Sequence, residues 1–293
     1  MSSLPTQMQA ISLNDAAYPQ ALREISGAPE VLYLRGQAEL LHAEPKIALI
    51  GSRNPSSYGQ KVAAELATAL AKIGVCIVSG LARGIDGICH RAALEAGGKT
   101  IGVLGTAIDQ LYPTSNQPLA NQMVQQALIV SEYAPGTEFR NWQFSARNRI
   151  ISGLSRAVIV VEAAAKSGTL ITVQHALKQG REVFAVPGPV DSSSSAGTLQ
   201  LLREGARCVR HVQDVVEDLD LNYLVEHEEN NLTIHKINSI NDPLLAWFGT
   251  KPVHIDSLLE KTGLHASELG ALLIERELNG QIRQLPGHYY VRI

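Results

Sequence analysis

The sequence predicts an α/β fold in two parts: a mostly parallel sheet with crossover helices, then a small helical domain closed by a hairpin. From Lys46 to about Leu219, short β-branched apolar runs alternate with longer stretches of helical period. Three of those runs end in a turn of small residues that opens a helix. Around residues 222–241 the chain becomes polar and acidic, and beyond it the pattern reads three short helices and a hairpin. Together these features predict a mostly parallel α/β sheet followed by a C-terminal winged-helix domain.

Taken in order, residues 1–45 are expected to form an N-terminal extension packing on the core. The core, 46–221, has apolar runs at 47–50, 75–78, 100–104, 128–130, 157–161 and 183–186. After the first run, Val62, Leu66, Ala69, Leu70 and Ile73 fall on one face of a helix. Similar patterns cover 85–96 and 170–179. A linker, 222–241, leads to a winged-helix-like domain, 242–293. Its helices are expected at 243–248, 255–262 and 266–278, and its strands at 282–285 and 289–293, around Pro286-Gly287-His288. The third helix carries Glu268, Glu275 and Glu277 against Arg276, and the tail from Asn241 holds five basic and six acidic residues. A reader of the duplex major groove is usually more basic, so a structural or protein-contacting role is expected for this domain.

Composition narrows the function. The chain has 293 residues, 45% hydrophobic and 18% charged, enough for more than one core. No run approaches the roughly 20 apolar residues of a membrane span, and the first residues lack a basic start followed by an apolar stretch. A cytoplasmic protein without a membrane span is therefore expected. Cys76, Cys89 and Cys208 are odd in number and far apart, which fits reduced thiols better than a disulfide framework or a zinc site; no metal and no cofactor are expected. The formal net charge is −3, so any polyanion must be met by a local cluster of cations.

Three strand-end loops offer such a cluster. "GSRNPSSYG" begins with Gly51, Ser52 and Arg53. "SGLARGID" contains Arg83 and Gly84, and "EAAAKSGTL" contains Lys166, Ser167, Gly168 and Thr169. Small residues let backbone amides approach an anion, each loop adds a long cation, and each leads into a helix N-terminus. One such loop could simply be a tight turn with a solvated cation; three in one sheet point to phosphate. Neither the G-x-x-x-x-G-K-[ST] loop of nucleoside triphosphatases nor the G-x-G-x-x-G of dinucleotide-binding proteins is present. Cations on several loops suit a chain of phosphates, and arginine both forks onto phosphate and stacks on bases, so single-stranded nucleic acid fits.

"FSARNRIISGLS" adds Arg147 and Arg149. Arg147 is carried as a DNA contact, although one arginine here could tie its helix to a carboxylate such as Glu132 or Glu162. Upstream, Trp142 and Phe144 are candidates for base stacking. Catalytic readings are weaker. Asp86 and His90, spaced i and i+4, could form a base pair of groups or half a metal site, but no third ligand stands at telling spacing. Ser152 and Ser155 lack a G-x-S-x-G elbow.

The motifs resemble the DNA-processing protein A family, also called DprA or Smf. The similarity rests on "YPQALREISGAPEVLYLRG", "ALIGSRNPSSYG", "IVSGLARGID", "GGKTIGVLGTAIDQLYP", "SEYAPG", "RNRIISGLS", "KSGTLIT" and "FAVPG", in order over most of Tyr18 to Leu219. The resemblance implies an extended Rossmann-like, mostly parallel sheet domain that binds single-stranded DNA without cutting it. It also implies protection of incoming strands in natural transformation, contact with and loading of the RecA recombinase, and homodimers. Its GSR loop maps onto Gly51, Ser52 and Arg53, and its basic-Ser-Gly loop onto Lys166, Ser167 and Gly168. The chain departs where members often show F-P-x-R-N, here Phe144-Ser145-Ala146-Arg147-Asn148, and where some carry a lysine, here Thr114; Arg140 is a candidate substitute. An alternative is a nucleotide phosphoribohydrolase or nucleotide-binding module on the same fold. Its P-G-G-x-G-T-x-x-E loop resembles 166–172, but Ile171 and Thr172 stand where the hydrolytic glutamate would be.

Overall fold

The computed structural model describes residues 8–225, 244, 247–248, 252–278 and 281–292, and the chain divides into two units, 1–225 and 226–293. The strands of the first unit are β1 (Gln9–Ser12), β2 (Val31–Gly36), β3 (Lys46–Ile50), β4 (Cys76–Ser79), β5 (Thr100–Val103), β6 (Leu128–Ser131), β7 (Ala157–Val160), β8 (Glu182–Ala185) and β9 (Arg207–Cys208). Its helices are α1 (Gln20–Arg23), α2 (Ser57–Lys72), α3 (Ile85–Glu95), α4 (Gln117–Gln126), α5 (Trp142–Gly153), α6 (Thr169–Lys178), α7 (Ala196–Arg203) and α8 (Val212–Asp218).

The strands form one nine-stranded sheet in the order β1-β2-β6-β5-β4-β3-β7-β8-β9. From β6 to β9 every pairing is parallel, and β3, β4, β5, β6 and β7 are buried at every residue, which is why they read as unbroken apolar runs. Alternate residues of β3 feed two cores. Ile47 and Leu49 pack with Leu66 and Leu70 of α2, Cys89 of α3 and Val215 of α8. Ala48 and Ile50 pack with Met123 of α4, Ile150 and Ile151 of α5, and Val173 of α6. Each fully buried Leu or Ile contributes roughly 1.5–3 kcal/mol, so the helices are held by the two faces of the same strands.

Strand order fixes where a ligand can sit. The chain adds β4, β5 and β6 outward from β3 on one side, then crosses back to lay β7 on the other. The loops after β3 and β7 therefore part in opposite directions and leave a crevice at their carboxyl ends.

The N-terminal segment belongs to the same sheet: β2 runs antiparallel to β6, with Tyr33 opposite Ser131, and β1 runs antiparallel to β2. Gly36 ends β2 with φ +115, and a side chain there would strike the Ala127 carbonyl, so only glycine lets the strand lie so close to the end of α4. Tyr18 anchors the segment, fully packed and donating its hydroxyl to the Pro29 carbonyl at 2.9 Å.

In the second unit, β10 (Val253–His254), α9 (Ile255–Thr262), α10 (Ala266–Leu278), β11 (Ile282–Leu285) and β12 (Tyr289–Arg292) form two helices and a three-stranded sheet ordered β10-β12-β11, a winged-helix arrangement. Its own core gathers Leu244, Phe248, Leu258, Leu269, Leu273, Ile282 and Tyr290. The helix expected at 243–248 falls largely, and the linker from 226 onward wholly, outside the described residues.

His90 on α3 is completely buried beside the sheet. Its Nδ1 lies 2.7 Å from Thr100 Oγ1, whose own proton goes to the Ile77 carbonyl at 2.8 Å. Nδ1 must then carry the ring proton, and the buried Nε2 has no hydrogen-bond partner among the described residues. Burial, helped by the charge of Arg147, pushes the imidazole down to about 3, against an ordinary 6.5. The unfolded chain therefore binds the extra proton between those values, and stability falls as pH drops below 6.5. His90 should account for about 2 kcal/mol of lost stability between pH 6.5 and pH 5. Urea unfolding across that range should show a slope that His90→Gln flattens.

Candidate functional site

Three loops meet at the crevice, and backbone hydrogen bonds join them. Ser52, second after β3, donates its amide to the Glu162 carbonyl after β7 at 2.8 Å and accepts the Ile85 amide, where α3 starts, at 3.1 Å. Thr169, at the start of α6, donates its hydroxyl to the Gly51 carbonyl at 3.0 Å. Gly84 makes the closest approach: its φ is +78, and a side chain there would collide with the Ser52 and Arg53 carbonyls. Beneath them the buried carboxylate of Glu162 accepts from the amide and hydroxyl of Ser56, which itself caps α2 through the Gly59 amide at 3.0 Å.

Between the loops lies a cleft of about 390 Å³. Gly51, Ser52, Arg53, Arg147, Ser167, Gly168 and Thr169 all line it, with Phe144 at its lip. Arg83 faces an adjoining hollow of about 50 Å³ that shares Arg53, Phe144 and Arg147. Lys166 is exposed on the β7 loop, outside the cleft wall. Among the described residues, Arg53, Arg83 and Lys166 make no ion pair and no side-chain hydrogen bond, and the amides of Arg53 and Gly168 donate to no protein acceptor. Asp86 is the acidic residue of the lining.

Arg147, expected from the sequence as a DNA contact, lines the cleft from within the core of the protein. It is 4% exposed, and its Nη1 donates to the Gly80 carbonyl at 2.6 Å and to the Val103 carbonyl. Asp86 accepts the Gly80 amide at 3.1 Å on the other side of the same glycine. Burial pushes the guanidinium down to about 10, with Asp86 pulling the other way. Burial raises the Asp86 carboxyl, opposed by Arg147 and by the Ala82 and Gly80 amides. Arg147 is thus a post under the cleft, tying α5 to β4 and β5. Arg149 supplies the tie to a carboxylate, forking onto Glu132 and reaching the Gly27 carbonyl at 2.8 Å.

Beside the cations the structure gathers aromatic rings. The Arg53 guanidinium lies 5.7 Å from the Phe144 ring, which packs 5.5 Å from Tyr112 and 5.0 Å from Phe139. Tyr112 is 51% exposed, so the cluster presents ring surface to solvent. Trp142, 58% exposed, meets Tyr133 edge-on instead. Tyr112 and Phe139 lie in different loops, after β5 and β6, and no local spacing in the sequence links them. Asp86 and His90, weighed as a catalytic pair, have separate partners, and no group of three metal-ligating side chains occurs among the described residues.

A sequence model of the family described as DNA recombination-mediator protein A matches residues 9–220, which is most of the chain. The chain belongs to that family. A DprA winged helix domain matches residues 237–288. The family's DNA processing protein DprA of Bacillus subtilis is 42% identical over 212 residues, covering 72% of this chain and 71% of that one. Protein Smf of Escherichia coli is 38% identical, over 93% of this chain and 74% of its own. Among solved structures, DNA processing protein A of Streptococcus pneumoniae has a TM-score of 0.69 at 44% identity, covering 72% of this chain and 74% of its own. The same protein of Helicobacter pylori, described for its single-stranded DNA binding mode, has a TM-score of 0.67 at 33% identity, over 74% and 98%. In this DNA recombination-mediator member no described helix is long and apolar enough to cross a membrane.

The loop junction makes a stability prediction. Gly84 and Gly74 both have positive φ, but a side chain at Gly74 would meet open space. Gly74→Ala should cost about 1 kcal/mol, and Gly84→Ala about 3 kcal/mol or more, because collision with the Ser52 carbonyl adds to backbone strain. Urea unfolding of the two variants checks the difference.

Proposed function

We propose that this protein binds single-stranded DNA through its phosphates, along a path set by Arg83, Arg53 and Lys166 at the carboxyl ends of β4, β3 and β7. One observation carries the reading: cations from three loops, without ion pairs or side-chain hydrogen bonds among the described residues, and the unpaired amides of Arg53 and Gly168 stand at the switch point of the sheet. Phosphate contacts of this kind carry no base information, and stacking on Phe144 and Tyr112 accepts any base, so little sequence preference is expected. The name of the Helicobacter pylori relative, which refers to single-stranded DNA, supports the same ligand. Arg147 acts from below, holding the lip, and Arg149 holds the N-terminal segment.

Family membership and the motif resemblance support a wider role. The protein acts without catalysis in the cytoplasm, protecting incoming DNA in natural transformation and helping to load the RecA recombinase for homologous recombination, as a homodimer. Against the phosphoribohydrolase alternative stand Ile171 and Thr172, which line the cleft where that chemistry needs a carboxylate.

Arg53→Glu should weaken binding to oligo-dT at least tenfold and flatten its salt dependence, and Lys166→Ala should lower the slope by about 1. Fluorescence anisotropy across a salt series reads both; an Arg53→Glu protein that binds as tightly as the parent refutes the path. Removing residues 241–293 should leave oligo-dT affinity within a few-fold, because the second unit has its own core and an acidic balance of charge. Incubation with AMP should release no free adenine.

A further inference from the structure

We infer that Trp142 is a second platform for a base of the bound strand, outside the cleft and on the other side of α5 from Phe144. The inference rests on the strand-binding reading and carries the path beyond the residues that line the cleft.

The helix sets the two rings apart. α5 begins at Trp142, and at 3.6 residues per turn two positions in i, i+2 relation point about 200° from one another. Their neighbours agree. Phe144 packs into the cluster with Tyr112 and Phe139, whereas Trp142 meets Tyr133 of the loop after β6, with centroids 6.2 Å apart and planes at 81°. Trp142 lines neither the cleft nor the adjoining hollow. It is a separate surface, reached from the cleft across the first turn of α5.

The two rings differ in what they leave for a ligand. Phe144 is half-buried, with the Arg53 guanidinium over it and two rings against it. Trp142 is 58% exposed, and its one ring contact among the described residues is edge to face, so at least one face of the indole is bare. Tyr133 is partly buried and steadies that indole. A ring already held in place, with a face open to water, stacks any base at little cost in ordering.

Charge indicates the occupant. Arg140 stands two residues before Trp142, and its ion pair with Glu138, at 3.9 Å between two solvated side chains, holds it weakly. A cation free to turn toward a phosphate beside a bare aromatic face suits a nucleotide, which brings a flat base and a negative charge together. A second copy of this chain, with its net charge of −3, offers no such pairing. Glu138 offsets Arg140, and the nearby Asp109 carboxylate accepts the Gly136 amide at 3.1 Å, so the local charge is close to balanced. The platform therefore contributes stacking more than phosphate attraction, and its signature is affinity without salt dependence.

The test uses the full-length protein and oligo-dT. Trp142→Ala should weaken binding about fivefold or more while leaving the salt slope at the parent's value, unlike Arg53→Glu. Trp142→Phe should recover most of the loss. The chain has two tryptophans, so Trp247→Phe leaves Trp142 as the sole reporter. Its emission should fall as oligo-dT saturates the protein and stay level with a saturating abasic strand of the same phosphate count. A Trp142→Ala protein that binds as tightly as the parent, or emission unchanged at saturation, overturns the platform while leaving strand binding intact. So does a Trp142→Ala protein whose oligomeric state changes without DNA while its oligo-dT affinity does not, which makes the ring a contact between copies. If the parent binds no oligo-dT, the strand-binding reading fails and the platform falls with it.

Discussion

Ser52 holds the crevice of the sheet together from both sides. Its amide is taken by the carbonyl of Glu162 and its carbonyl by the amide of Ile85, so one residue fixes the loop after β3 to the loop after β7 and to the start of α3. Strand order brings these segments near one another, since β3 lies between β4 and β7. Proximity alone would not align their cations. The paired amide and carbonyl do so, and they require a glycine at position 84 because no side chain fits between the two loops. The buried Glu162 carboxylate, capping α2 through Ser56, extends the same tie into the helical layer.

The charges divide between support and surface. Arg147 and Arg149 look alike in sequence, two residues apart on one helix, but both are consumed by the protein: one by carbonyls of the β4 and β5 loops, the other by Glu132. Their fixed bonds set the position of α5 and so of Phe144. Arg53, Arg83 and Lys166 are left without ion pairs or side-chain hydrogen bonds among the described residues. A chain of net charge −3 can meet a polyanion in this way, because what matters is the local field at the strand ends and not the total.

How far the sequence foretells these features depends on the range of the forces involved. The parallel strands are legible because full burial on both faces demands continuous apolar residues, and α2 because its apolar residues recur at helical spacing from Val62 to Ile73. The antiparallel strands β1 and β2 are not: four residues of mixed character at 9–12 carry no period, and β2 is defined by pairing with β6, nearly a hundred residues away. The glycine loops show themselves through composition. Which cation faces solvent does not, because Arg147 is buried by contacts with residues 80 and 103 that no local window contains. The ring cluster is only half visible, since Phe139 and Phe144 are near in sequence but Tyr112 joins them from a separate segment.

At the far side of the sheet, β9 is only two residues long, and its Arg207 reaches Glu182 on one flank and Asp218 on the other. A long bare edge would be a template for a stranger's backbone, in this molecule or in a misfolded copy. So brief a strand, fenced by charges of both signs, offers almost nothing to pair with. A sheet of nine strands can therefore end in water without recruiting a tenth.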